Sequence, residues 1–230
     1  MKTIVRKHPL AFRWMHWINF PVLAVMVWSG LLIYWANGVY RIGWGSTTIL
    51  KFFPKSFYQA LHVPFRLGEG MSFHFAFMWV FTINGFLYLL FLIFSGQWRR
   101  LAPLRTDWKE AWGVVLHDLY LKRQAPPMRG DYNAAQRIAY SAVVIMGAGS
   151  ILTGWVMYKP VQLWWLCTAL GGYSAARIEH FILTLLFTLF FVVHVLQVVR
   201  AGWNNFRSMI TGFEVAPDIT TNDNPGSNTR

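Results

Sequence analysis

Charge is scarce in this 230-residue chain: 13 % of its residues are charged and only nine are acidic. So little charge cannot keep a chain that is 55 % hydrophobic solvated and unfolded, so intrinsic disorder is excluded and an integral membrane protein is indicated. Cysteine is nearly absent too, with Cys167 alone. One thiol makes no intrachain disulfide, and it also rules out a Cys-x-x-Cys-His heme attachment or an iron–sulfur cluster held by several cysteines. Near a span end, Cys167 is expected to be a small buried apolar residue. The formal charge of +12 does not point to nucleic acid, because the basic residues fall in particular loops between apolar runs and form no stripe on a soluble domain.

What the chain does have is long apolar runs. Four are long enough to cross a bilayer as helices, at about 14–36, 72–95, 136–158 and 178–201. The first is too long for a signal-peptide core and lacks a small-x-small cleavage site, so it reads as a span. Pro21 removes one backbone donor from it and is expected to kink it. Residues 37–71 form a long connection rich in glycine, proline and aromatics, in which PKSFYQALHVPF is expected to lie along the membrane surface. Between spans two and three, DWKEAWGVVLHDLYLKR reads as an amphipathic helix. Asp107 and Glu110 have capping-box spacing, and Lys122 and Arg123 suit the helix's C-terminal end. Residues 1–213 are thus expected to make one all-α membrane domain, a four-transmembrane-helix bundle plus this surface helix. Residues 214–230 are expected to be a flexible tail.

Four spans put both termini on one side. That side carries fifteen of the 21 lysines and arginines, so the positive-inside rule assigns both termini to the cytoplasm.

Ionisable residues inside spans are costly and point to function. His180 and His194 are fourteen residues apart on span four, nearly four turns, and so leave one helix face about 21 Å apart. By the topology above, His16 on span one lies level with His194, and His74 on span two lies level with His180. Two imidazoles from different helices at one depth suit bis-histidine ligation of a b-type heme in the apolar slot of a helix bundle. Gly30, fourteen residues after His16, falls at the depth of the other pair, where a porphyrin needs a missing side chain. Gly85, Gly147, Gly149 and Gly154 are weaker candidates for the same contact. Copper or zinc suits the histidines less, because the pairs are too far apart for one site and no carboxylate or thiolate joins either. A proton relay or plain interhelical hydrogen bonding stays open as a rival. His8, His62 and His117 read as solvated residues or local hydrogen-bonders.

Several segments carry a family resemblance: HPLAFRWMHW (8–17) with SGL (29–31), His74 opening span two, DYNAAQRIAY (131–140), and HFILTLLFTLFFVVH (180–194) followed by GWNNFRSMITG (202–212). Over roughly Lys7 to Phe213 the chain resembles the bacterial cytochrome b561 and nickel-iron hydrogenase b-subunit family, which includes the membrane subunits of formate dehydrogenases and thiosulfate reductases. The resemblance implies a four-helix anchor with two b hemes. His16 and His194 would hold the cytoplasmic-side heme, and His74 and His180 the outer one. It also implies a quinone pocket beside the cytoplasmic-side heme, with Asn133 and Gln136 as its polar residues. By position alone Asn133 is equally a helix N-cap.

The expected function is a diheme cytochrome b of the bacterial inner membrane. It would carry electrons between a periplasmic redox subunit, a molybdopterin oxidoreductase among the candidates, and the quinone pool. Arg13 is a candidate partner for a heme propionate, while Glu179 is expected to face water. Membrane lipid is the other partner, and self-association is left open. One alternative is a stand-alone oxidoreductase that takes electrons from superoxide or another small reductant, drawn in by Arg41, Lys51, Lys55 and Arg66. Another is a proton channel or structural anchor without redox chemistry.

Overall fold

The computed structural model describes residues 3–118, 120–124, 128–129 and 132–216. In chain order they form β1 (Thr3–Arg6), α1 (Leu10–Tyr34), β2 (Arg41–Trp44), β3 (Thr47–Lys51), α2 (Lys55–Ala60), α3 (Leu67–Phe94), α4 (Trp98–Leu101), α5 (Asp107–Asp118), β4 (Met128–Arg129), β5 (Tyr132–Asn133), α6 (Ala134–Tyr158), α7 (Trp164–Ala169), α8 (Tyr173–Thr211) and β6 (Phe213–Ala216). Helices α1, α3, α6 and α8 are long and apolar enough to span a membrane. Each begins before the start expected from hydropathy, by two to five residues. The extra turns are amphipathic or mixed, so they belong to the helix without belonging to the apolar run.

The bundle is built from two helix hairpins. Helix α1 packs along α3, and α6 along α8, while contacts between the two hairpins are sparse. Gly70 explains the closeness of the first pair: a Cβ there would stand 2.7 Å from Cβ of Leu32 and 3.1 Å from the Ser29 carbonyl. Small residues at such crossings let membrane helices approach. Helix α1 runs through Pro21 as one helix. Helix α8 breaks at Gly202, whose φ of 81° suits glycine. The expected end of span four at Ala201 therefore coincides with a real kink.

Short strands tie the ends together. β1 pairs antiparallel with β6, Thr3 opposite Ala216 and Arg6 opposite Phe213, which brings these two segments together at one end of the bundle. Lys7 adds an ion pair to Glu214 at 2.9 Å. The tail expected from residue 214 is thus corrected. Residues 214–216 belong to a strand, because the N-terminal arm supplies backbone donors and acceptors that no local pattern reveals. Residues 217–230 of that tail lie outside the described residues.

At the opposite end, the 37–71 connection is ordered by a β2–β3 hairpin and α2, the latter within the stretch expected to lie on the surface. Tyr58 of α2 is fully buried and donates to the Leu31 carbonyl at 2.9 Å, and burial pushes its pKa up to about 12. Cys167, expected to be buried, is only partly so, since α7 lies against the rest of the bundle on one side.

The amphipathic surface helix is present as α5, but Asp107 does not cap it as expected. The Asp107 side chain is 0 % exposed, and its carboxylate takes Arg137 Nε at 2.7 Å and Nη2 at 2.6 Å as well as the Leu104 N–H at 2.7 Å. This bidentate pair bolts α5 to the start of α6. The helix ends at Asp118, four residues short of Lys122.

Candidate functional site

Four histidines project between the two hairpins. His16 of α1 faces His194 of α8 with ring centroids 6.1 Å apart, near the end that carries the β1–β6 pairing. His74 of α3 faces His180 of α8 with centroids 6.3 Å apart, near the opposite end. The level pairs expected from spacing are the pairs that meet. Below, His16 and His194 are the near pair, and His74 and His180 the far pair.

The far pair is held by hydroxyls. Ser29 Oγ lies 3.0 Å from His74 Nδ1 and donates its own hydrogen to the Met26 carbonyl at 3.2 Å. Thr153 Oγ1 lies 2.9 Å from His180 Nδ1 and donates to the Gly149 carbonyl at 2.7 Å. A hydroxyl has one hydrogen, so each oxygen that donates to backbone accepts from the imidazole. With the hydroxyls so oriented, the matching tautomer of each far histidine carries its proton on Nδ1 and keeps the Nε2 lone pair. A glycine follows each hydroxyl residue. A Cβ at Gly30 would meet His74 Cε1 at 3.7 Å, and one at Gly154 would meet His180 Cε1 at 3.3 Å.

The near pair is held by aromatic rings. His194 stacks on Phe190 at 5.7 Å, and the edge of Trp17 meets His16 at 5.4 Å. His16 Nδ1 is buried, and among the described residues it has no hydrogen-bond partner. Trp17 itself is fixed by donating Nε1–H to the Met209 carbonyl at 3.0 Å and by Phe206. Arg13 donates to the Ile210 carbonyl, and its guanidinium packs against Gly212, where a Cβ would come within 3.1 Å. Together these contacts bind the first turns of α1 to the segment after the Gly202 kink.

Can these residues hold an iron porphyrin? Two imidazoles on opposite sides of one metal, each about 2 Å from it through nitrogen, have ring centres about 6 Å apart. Both observed separations match that spacing. Among the described residues, no three histidine, cysteine or carboxylate side chains gather to hold a bare metal ion. The donor set thus suits two-point axial ligation and not a zinc or copper cage. Contact between the hairpins is sparse, and the glycines leave room beside the far imidazoles.

Comparison with known proteins decides the family. Residues 7–212 match the model of prokaryotic cytochrome b561. The chain belongs to the prokaryotic cytochrome b561 family. It is 33 % identical over 201 residues to the putative protein-methionine-sulfoxide reductase subunit YedZ1 of Azospira oryzae, an alignment covering 86 % of this chain and 92 % of that protein. No solved structure gives a significant match. As a cytochrome b561 the protein is a multi-pass membrane protein that transfers electrons through heme b.

In this cytochrome the remaining candidate residues fall as follows. Asn133 caps α6: its side chain accepts the Gln136 N–H at 2.9 Å, and the Gln136 side-chain oxygen accepts the Asn133 N–H at 3.0 Å. Both side-chain oxygens are spent on this box, while the two amide NH₂ groups have no partner among the described residues. Arg137, one residue on, anchors the same turn through Asp107 and donates to the Tyr132 carbonyl at 3.0 Å. Gly85 and Gly149 face Ile151 and Leu183 and serve helix packing, and Gly147 faces Phe187. Glu179 is partly buried, so it is less open to water than expected.

Sequence reasoning missed Ser29, Thr153 and the Asp107–Arg137 pair. A signal for the first two was available: hydroxyl–glycine dipeptides, Ser29-Gly30 and Thr153-Gly154, sit inside two different spans. For Asp107 and Arg137, thirty residues apart, no local signal existed.

Proposed function

We propose that this protein is a diheme b-type cytochrome that carries electrons across the bacterial inner membrane between quinone and a periplasmic redox subunit. The observation that carries the reading is the two facing imidazole pairs, at 6.1 and 6.3 Å, one toward each end of the bundle. His16 and His194 would hold one heme, and His74 and His180 the other. Bound heme b supplies a one-electron carrier whose potential the protein sets. The protein's part is to fix the imidazoles, keep water from the slot and hold the two sites in line along α8. Fourteen residues of helix separate His180 from His194, or about 21 Å.

We read the near end as the cytoplasmic one, because four spans leave fifteen of the 21 basic residues of the sequence on that side. A quinone headgroup would sit there against the α6 N-terminus. The amide NH₂ groups of Asn133 and Gln136, unpartnered among the described residues, are donors for its carbonyl oxygen, and the Asp107–Arg137 pair keeps that turn in place. The far end would meet the partner. The relative's name speaks of a subunit of a reductase acting on methionine sulfoxide. A partner of that kind consumes electrons, so flow would run from quinol at the near end to the partner at the far end.

The test is the purified protein in mild detergent. A pyridine hemochrome assay is expected to give two b hemes per chain, and a short-chain quinol is expected to reduce both. A colourless protein from heme-replete cells would overturn the reading, and the histidines would then be polar packing or a proton path.

A further inference from the structure

The two imidazole pairs differ in what holds their second nitrogens, and the difference has an electronic consequence. On the far pair each Nδ1 stands at hydrogen-bond distance from a side-chain hydroxyl, 3.0 Å from Ser29 and 2.9 Å from Thr153. With each Nδ1–H as the donor, each hydroxyl spends its one hydrogen on a helix carbonyl one turn back, Met26 for Ser29 and Gly149 for Thr153. On the near pair, His16 Nδ1 has no partner and no hydrogen bond from His194 is found, both among the described residues. A hydrogen bond accepted from Nδ1–H pushes electron density toward Nε2 and makes the imidazole a stronger donor to a metal. A stronger donor favours the ferric over the ferrous state.

From this asymmetry we infer that Ser29 and Thr153 are positioning residues that lock His74 and His180 in the Nδ1–H tautomer and lower the potential of the far heme, leaving the near heme untouched. Each works from a hydroxyl–glycine dipeptide. The hydroxyl fixes the ring's rotation, and the following glycine leaves the Cε1 edge of that ring uncovered. The two dipeptides come from different hairpins, Ser29 from α1 and Thr153 from α6, so each ring is held by the helix packed beside its own. Gly70 belongs to the device, because the close approach it permits brings α3 against the Ser29 turn one turn before His74.

The inference rests on the diheme reading, and the experiment separates the two. A redox titration of the wild-type protein, followed in the visible spectrum, must first resolve two b-type components; a single component sinks the diheme reading itself. The component missing from His74→Ala is the far one. Thr153→Val removes the hydroxyl at nearly constant shape, and Thr153→Ser keeps it. At fixed ambient potential, Thr153→Val is expected to raise the reduced-to-oxidised ratio of the far component about two- to five-fold, the scale of one modest hydrogen bond. Thr153→Ser is expected to stay at the wild-type value, with the near component unmoved in both. Equal shifts in the two variants, no shift in Thr153→Val, or an equal movement of the near component would overturn the inference. Should Thr153→Val not assemble, Ser29→Ala carries the same test: a raised ratio for the far component supports the inference, and a wild-type ratio overturns it.

Discussion

The far pair, His74 and His180, is held by hydroxyls and bounded by glycines, whereas the near pair, His16 and His194, is held by ring packing. One helix, α8, supplies a histidine to each, so the contrast comes from its neighbours. At the far end the neighbours are polar atoms at hydrogen-bond distance, which fix ring rotation and suit the Nδ1–H tautomer. At the near end Trp17 and Phe190 fix ring orientation by shape, and among the described residues Nδ1 of His16 has no partner. The same donor residue can thus be prepared electronically at one site and only sterically at the other. The near end gains its rigidity elsewhere, from the β1–β6 pairing and the Asp107–Arg137 bolt.

The most direct way to break the comparison is to remove one pair at a time. His74→Ala and His194→Ala are each expected to lose a different one of two hemes, seen as a halved hemochrome yield and loss of distinct spectral components. If both variants lose the same component, the pairing is wrong.

A second test sharpens the claim that the near end relies on a remote bolt. Arg137→Ala leaves the buried Asp107 carboxylate uncompensated and is expected to destabilise the protein by roughly 3–5 kcal/mol. The Asp107→Leu/Arg137→Met double variant is expected to recover most of that loss, read as thermal stability in detergent. A single variant as stable as wild type would show that the bolt carries nothing.

Gly154→Ala is expected to disturb the far pair more than Gly30→Ala does, because the new methyl would lie 3.3 Å from the imidazole edge and not 3.7 Å. Overpacking of this kind costs about 1–3 kcal/mol. The visible spectrum of the far component should shift in Gly154→Ala and hold in Gly30→Ala.

The smallest effect is expected at the near end and depends on pH. His8 stacks on Phe12, and burial first, with neighbouring Lys7 second, holds its pKa below the ordinary histidine value. The unfolded chain then takes the proton more readily than the folded one. Stability is therefore expected to fall as the pH drops below about 6.5. His8→Gln should flatten that part of the stability–pH profile, and an unchanged slope would remove His8 from the account.

Much of this was legible in the chain because the bilayer imposes strict local rules. Apolar run length gave the four spans, and the fourteen-residue spacing of His180 and His194 gave two depths on one helix. Helix rise then paired His16 with His194 and His74 with His180, since a membrane helix converts residue number directly into depth. An N-cap at Asn133 was open as the alternative to a quinone contact, because capping is a local contact, but its box with Gln136 was not foreseen.

Elsewhere local pattern was no guide. The strand at Phe213–Ala216 forms only because Thr3–Arg6 lies beside it, and Asp107 turned from a helix cap into a buried ion-pair partner only because α6 brings Arg137 to it. The sequence by itself determined where helices cross the membrane and which histidines share a depth, because both follow from periodicity along one chain. Only the tertiary structure decided what each imidazole's second nitrogen touches. That depends on how closely α3 approaches α1 at Gly70 and on which face α6 turns to α8, distances between helices that no single helix encodes.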